Sequence, residues 1–187
     1  MKQYITIEDL NGLNSYQRDR LNDLWTPQRY DLAAGYLCMD AENNKYDIFE
    51  FVIGHVNITE GRAGYHMTLV NLEAMKGWGA ASGKQEEEEA ASEEVNFEDF
   101  DEEDFSFEYE RPDVYSKTDC MPLLNIGQLL EFLAKCGYGN GNFYASLDKG
   151  NNEYGVGRDA SQFIDFGMDF KGDELCDALW AAVKEAL

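Results

Sequence analysis

Basic residues are scarce in this chain. Lys and Arg number 15 against 37 Asp and Glu over 187 residues, a formal net charge of −22. That balance excludes direct binding to bare DNA or to an anionic lipid surface, since both would repel it. No apolar run approaches the ~18 residues that a membrane-crossing helix needs. The opening, MKQYITIEDL, reads as the start of a helix and lacks the apolar core of a secretory signal. The expected setting is the cytoplasm.

Chemistry-bearing patterns are equally thin. Cys38, Cys120, Cys136 and Cys176 include no CxxC pair, and no His stands at zinc-ligand spacing from any of them. They read as reduced thiols of a cytosolic protein. Cys136 and Cys176 fall inside predicted amphipathic helices, where a Cys serves as a small core residue. No Ser sits in a G-x-S-x-G elbow, and no Ser–His–acid set can be assigned. His55 and His66 are the two histidines. They read as ordinary strand residues; the alternative is a metal held with Glu50 or Asp47. Residues 137–142, GYGNGN, follow a helix and enter a strand, the reverse of the order that aims a helix N-terminus at phosphate. Asp40-Ala-Glu-Asn-Asn44 begins like a calcium loop, but Lys45 stands where glycine is required and Phe51 where a bidentate Glu is required. Asn57-Ile-Thr59 is a chance sequon in a cytosolic chain. The expectation is a protein with no cofactor, no metal and no catalytic residues.

What the chain does have is enough apolar material for a core, with 44% hydrophobic and 13% aromatic residues. Thr6 to Asp9 forms a capping-box-like helix start. Ser15 is placed to cap a second helix, Tyr16–Trp25, with Leu21, Leu24 and Trp25 on its apolar side. Ala33–Met39 and Tyr46–His55 read as a hairpin across a polar turn, with a third strand at Tyr65–Asn71 after a Glu60-Gly61 turn. Asn125 to Gln128 opens a helix running to Cys136, with Ile126, Leu129, Leu130 and Leu133 as its stripe and Gly137 as its stop. Phe143–Asp148 and Glu153–Arg158 make another hairpin, Phe163–Phe170 a further strand, and Asp173–Leu187 a terminal helix with Leu175, Leu179, Ala182, Val183 and Ala186 on one face. Strands and helices without regular βαβ alternation predict an α+β fold, a single domain over 1–187.

One segment stands apart. Glu86–Glu110, EEEEAASEEVNFEDFDEEDFSFEYE, holds 14 of the 37 acids and none of the 15 bases, leaving a net of −8 for the other 162 residues. A small-residue run, Gly77–Gln85, precedes it and Arg111-Pro112-Asp113 ends it, so 77–113 reads as a flexible acidic-aromatic insertion within the domain. Phe97, Phe100, Phe105, Phe107 and Tyr109 interleave with the acids. A solvated spacer has no use for five aromatics; they must anchor to the core or to a partner. The carboxylate pairs Asp99/Asp101 and Glu102/Asp104 suit acid–base chemistry, yet pairs arise in so acidic a segment without function.

Charge density decides what such a segment resembles. Wound as a helix, 25 residues span ~38 Å, or one carboxylate per ~2.7 Å; drawn out as a strand, the spacing is ~6 Å. Duplex DNA carries one charge per ~1.7 Å of axis and a single strand one per ~3.4 Å. A compact form therefore approaches nucleic-acid charge density. Carboxylates can replace phosphates as partners of Arg and Lys, and phenyl rings can take the places of stacked bases. The expected partner-binding residues are Glu98, Asp99, Asp101, Glu102, Glu103 and Asp104 as phosphate surrogates, with Phe97, Phe100 and Phe105 as anchors. Two other readings stay open: a solubilising acidic loop on a phage or plasmid accessory protein, and an acidic chaperone of a basic partner.

In size, net charge and the segment Glu86–Glu110, the chain resembles the small acidic inhibitors that phages and mobile elements turn against host defence, the anti-CRISPR and anti-restriction DNA mimics. It also looks like bacterial phage or plasmid proteins over Asp119–Leu133 and Glu174–Lys184, stretches to which no activity attaches. The resemblance implies a non-catalytic inhibitor in a bacterial cytoplasm that blocks the basic DNA-binding site of a CRISPR effector nuclease or restriction enzyme.

Overall fold

The computed structural model describes residues 1–43, 45–61, 64–75, 111–138, 142–158 and 169–187. It is a single α+β domain with two antiparallel sheets and a C-terminal helix. Helix α1 spans Ile7–Asn11 and α2 spans Ser15–Leu24. Strands β1 (Leu32–Asp40), β2 (Lys45–Gly61), β3 (Gly64–Asn71), β4 (Val114–Ser116) and β5 (Cys120–Pro122) follow, with a 3₁₀ turn at Lys117–Asp119. Then come α3 (Ile126–Lys135), β6 (Phe143–Asp148), β7 (Glu153–Arg158), β8 (Phe170–Gly172) and α4 (Leu175–Ala186). The first five strands form one sheet in the order β4-β3-β2-β1-β5, and the last three form a second in the order β6-β7-β8.

The helix starts follow from side chains that satisfy free backbone N–H groups. Thr6 and Asp9 make the expected reciprocal capping box on α1. On α2 the cap is Asn14 rather than Ser15: Asn14 accepts from the Gln17 N–H, and the Gln17 side chain accepts from the Asn14 N–H. Asn125 and Gln128 repeat the device on α3. Gly137 then takes φ +70°, the left-handed conformation that ends a helix.

Strand β2 is the spine of the larger sheet. Its first half pairs with β1 (Ala33↔Phe51, Tyr36↔Ile48) and its second half with β3 (Val56↔Leu69, Thr59↔His66). The register slips between Ile53 and His55, which leaves Gly54 as the extra residue of a bulge. Only glycine fits there, because a Cβ would sit 2.7 Å from Leu72 Cα and 2.6 Å from Met75 Sδ. The strand runs on to Gly61 instead of stopping at His55, so Glu60 and Gly61 are paired residues and not a turn. The expected strand Phe163–Phe170 falls almost wholly outside the described residues; β8 takes up at Phe170 and pairs with Tyr154–Val156.

Helix α4 is buried on more than the expected face. Leu179, Ala182 and Val183 are inside, and so are Cys176, Ala178 and Trp180. It packs against α3, β7 and β8 at once, and Gln17 of α2 donates to the Lys184 carbonyl at 2.7 Å. On α3 the buried stripe is Leu129, Phe132 and Leu133, while Leu130 is 36% exposed. At 100° per residue Leu130 lies at the edge of that stripe and Phe132 within it. Among the described residues the buried core contains no polar or charged side chain. No helix among them is long and apolar enough to cross a membrane.

Candidate functional site

The acidic insertion interrupts a connection between two neighbouring strands. β3 ends at Asn71, and the chain returns as β4, which pairs with it (Val70↔Val114, Leu69↔Tyr115). The Asn71 N–H donates to the Asp113 carbonyl at 2.9 Å, fastening the two arms of the excursion together. Among the described residues, the first half of β2 pairs with β1 and only the second half with β3. Beside that first half is a cavity of about 770 Å³, bordered by Leu32, Phe49, Phe51, Asn71, Arg111 and Asp113.

Aromatic residues floor this root. The Phe51 and Tyr115 rings are 4.6 Å apart and tilted by 33°, and Phe49 and Tyr115 are 5.2 Å apart and tilted by 49°, separations at which ring pairs attract beyond their burial. The Arg111 guanidinium stands 5.2 Å above the Phe49 ring. Sequence reasoning took Arg111 only as the end of the acidic run. Its role as the cationic cover of an aromatic cluster depends on strands distant in sequence.

All nine residues expected to bind a partner (Phe97, Glu98, Asp99, Phe100, Asp101, Glu102, Glu103, Asp104 and Phe105) lie outside the described residues. The carboxylate pairs Asp99/Asp101 and Glu102/Asp104 lie there too. Of the insertion 77–113, the structure describes Arg111, Pro112 and Asp113.

The register of the described strands separates the two histidines. His66 is paired with Thr59 and His55 with Val70, so they stand four positions apart along β2. Among the described residues no group of three His, Cys, Asp or Glu is arranged to hold a metal. Asp40 accepts from the backbone N–H groups of Glu42 and Asn43 and from the Asn43 amide, so its carboxylate closes the β1–β2 turn.

The four thiols are all free. Burial, with the Asp119 charge beside it, pushes Cys120 up to about 12. Burial is also the main reason that Cys176 is pushed up to about 11. Both are protonated at neutral pH, which suits packing and not nucleophilic attack. Cys176 is the core residue expected within its helix, whereas Cys136 is half-buried at the C-cap of α3. Cys38 is exposed on β1. Compared with family models, curated proteins and solved structures, the chain matches none of them.

Proposed function

We propose that the chain is a stoichiometric, non-catalytic inhibitor that presents the carboxylates of Glu86–Glu110 to the basic nucleic-acid site of a defence nuclease, in the bacterial cytoplasm. The observation that carries the reading is the concentration of 14 acids and five aromatics in 25 residues without one base. The placement of that run supports it. The excursion leaves and re-enters one sheet between strands that are hydrogen-bonded to each other, so a folded body holds it at both ends. Tethering both ends reduces the chain entropy lost when the segment docks. Steering by the negative field makes association fast at low salt, and target DNA competes for the same cleft.

The test is a titration of nuclease cutting against the full chain, over a panel of CRISPR effector nucleases and restriction endonucleases. The mimic gives a break near one equivalent on its target. Progressive loss of cutting at trace amounts would mean turnover and an enzyme. Unchanged inhibition after deletion of Gly83–Arg111 would reduce the segment to a solubilising loop.

A further inference from the structure

A second surface lies on the opposite flank of the larger sheet. Tyr36 pairs with Ile48 across β1 and β2, and Tyr46 is two residues from Ile48, so all three share a face. Helix α2 is anchored over β5, where the Asn22 amide donates to the Cys120 carbonyl at 2.7 Å. It leaves this far end of the sheet uncovered. The result is an open groove of about 710 Å³. Tyr36, Tyr46 and Ile48 line its sheet side, and α2 and the 3₁₀ turn supply its walls.

The groove's charge is one-sided. Asp19 and Asp23 are four apart on α2, Asp119 comes from the 3₁₀ turn, and all three are exposed. Among the described residues the one base in the lining is Arg18, and it is already engaged: its Nε donates to the Leu13 carbonyl at 3.3 Å and its Nη2 to the Leu10 carbonyl at 3.2 Å. Nearby Lys117 donates to the Asn22 carbonyl at 2.7 Å, with its Nζ 6.0 Å from the centre of the Trp25 ring. Three carboxylates thus face an apolar, aromatic floor, and Tyr46 remains 52% exposed. A planar cation that stacks on a ring while its edge donates to carboxylates satisfies both features, and guanidinium does this better than ammonium.

We propose that this groove docks an arginine-bearing segment of a basic protein partner, with a guanidinium lying on Tyr46 and donating to Asp19, Asp23 and Asp119. The site is independent of residues 86–110. Where one partner meets both surfaces, the second contact forms at high effective concentration.

The test is an NMR titration of the ¹⁵N-labelled full chain at physiological salt with acetyl-Gly-Arg-Gly-Arg-Gly-amide and its lysine counterpart. The expected result is a set of shifts centred on Asn22, Tyr36, Tyr46 and Thr118. The triple variant Asp19→Asn/Asp23→Asn/Asp119→Asn weakens the arginine peptide by about five-fold or more. A charge-matched control, Glu60→Gln/Glu131→Gln/Glu185→Gln, changes exposed acids outside the groove and weakens it by less than about two-fold. Tyr46→Ala weakens the arginine peptide more than the lysine peptide. Equal losses in the two triple variants, shifts spread over the whole acidic surface, no shifts at all, or a self-dimer that fills the groove would each overturn the proposal. Changing Glu98, Asp99, Asp101, Glu102, Glu103 and Asp104 to amides leaves these shifts in place, so failure here and failure of the mimic reading are separable.

Discussion

Lys2 ties the two ends of the chain together, and removing its charge gives a sharp test of what holds the body. Its Nζ lies 2.7 Å from Asp9 Oδ2 and 2.7 Å from Asp177 Oδ1, and its backbone N–H donates to Glu174. Asp9 and Asp177 are the third residues of α1 and α4, so one ammonium bridges the positive ends of two helices. Unit charges ~4 Å apart attract by ~4 kcal/mol at an effective dielectric of ~20, before desolvation is counted. Side-chain exposures of 25%, 22% and 39% for Lys2, Asp9 and Asp177 leave room for solvent screening. Each pair is then worth about 1 kcal/mol. Lys2→Met keeps the packing of the stem and removes the charge, so it should cost about 2 kcal/mol. For a chain of this size that lowers Tm by about 4–8 °C.

The pH dependence of this cost has a definite sign. Burial works against the Lys2 ammonium, but its hydrogen bonds to Asp177 and Asp9 outweigh that and hold its pKa above the ordinary 10.5. Burial likewise works against the Asp9 carboxylate, and the bonds donated by Lys2 and the Thr6 N–H outweigh it and hold the group below 3.8. A raised pKa contributes stability in full below 10.5, lost as pH climbs through the folded value. A lowered one contributes above 3.8, lost as pH falls through the folded value. The gap between parent and Lys2→Met should therefore be flat from about pH 4 to 10 and close on either side. Urea melts of both proteins across that range measure it. A gap under about 0.5 kcal/mol at pH 7, or one that persists unchanged in strong acid, would mean that the Lys2 charge does not hold the two helix starts together.

Other perturbations test the remaining structure. Gly54→Ala should destabilise by about 1–3 kcal/mol in chemical denaturation, because the new Cβ meets the Leu72 backbone, which cannot swing aside. Asn125→Ala removes the capping bond to the Gln128 N–H at 2.9 Å and should cost about 1 kcal/mol in the same assay. Leu179→Ala removes a fully buried side chain from the centre of α4 and should cost about 2–5 kcal/mol. Titration with a thiol reagent at neutral pH should give fast reaction at Cys38, while Cys120 and Cys176 react only on unfolding, by mass spectrometry of the labelled peptides.

Much of the fold is legible locally. Capping residues, period-2 alternation and polar turns place α1, α3, β1, β3 and the β6–β7 hairpin close to where they stand. What sequence reasoning missed depends on neighbours distant in the chain. Three-residue β4 and β5 have too few residues for any alternation, and they exist because β3 and β1 offer them an edge. The full length of β2 is hidden because Glu60-Gly61 reads as a turn until β3 pairs with it. The burial of Trp180 and Ala178 off the expected face of α4 comes from the second sheet closing over the helix. The same holds for sites. The acidic run is plain from composition, whereas nothing in the sequence singles out Asp19 and Asp23. The joining of Asp119 and Tyr46 to them is a product of tertiary structure.

The claim that carboxylates of Glu86–Glu110 stand in for phosphates is tested most directly by one comparison. Parent and a variant with Glu98, Asp99, Asp101, Glu102, Glu103 and Asp104 changed to their amides are titrated against the nuclease that the panel identifies, with target duplex as competitor. The parent is expected to inhibit in proportion to its amount and to be displaced by duplex. The variant keeps the parent's fold by circular dichroism but no longer inhibits. Equal inhibition by the two proteins, or inhibition that duplex cannot displace, would contradict it.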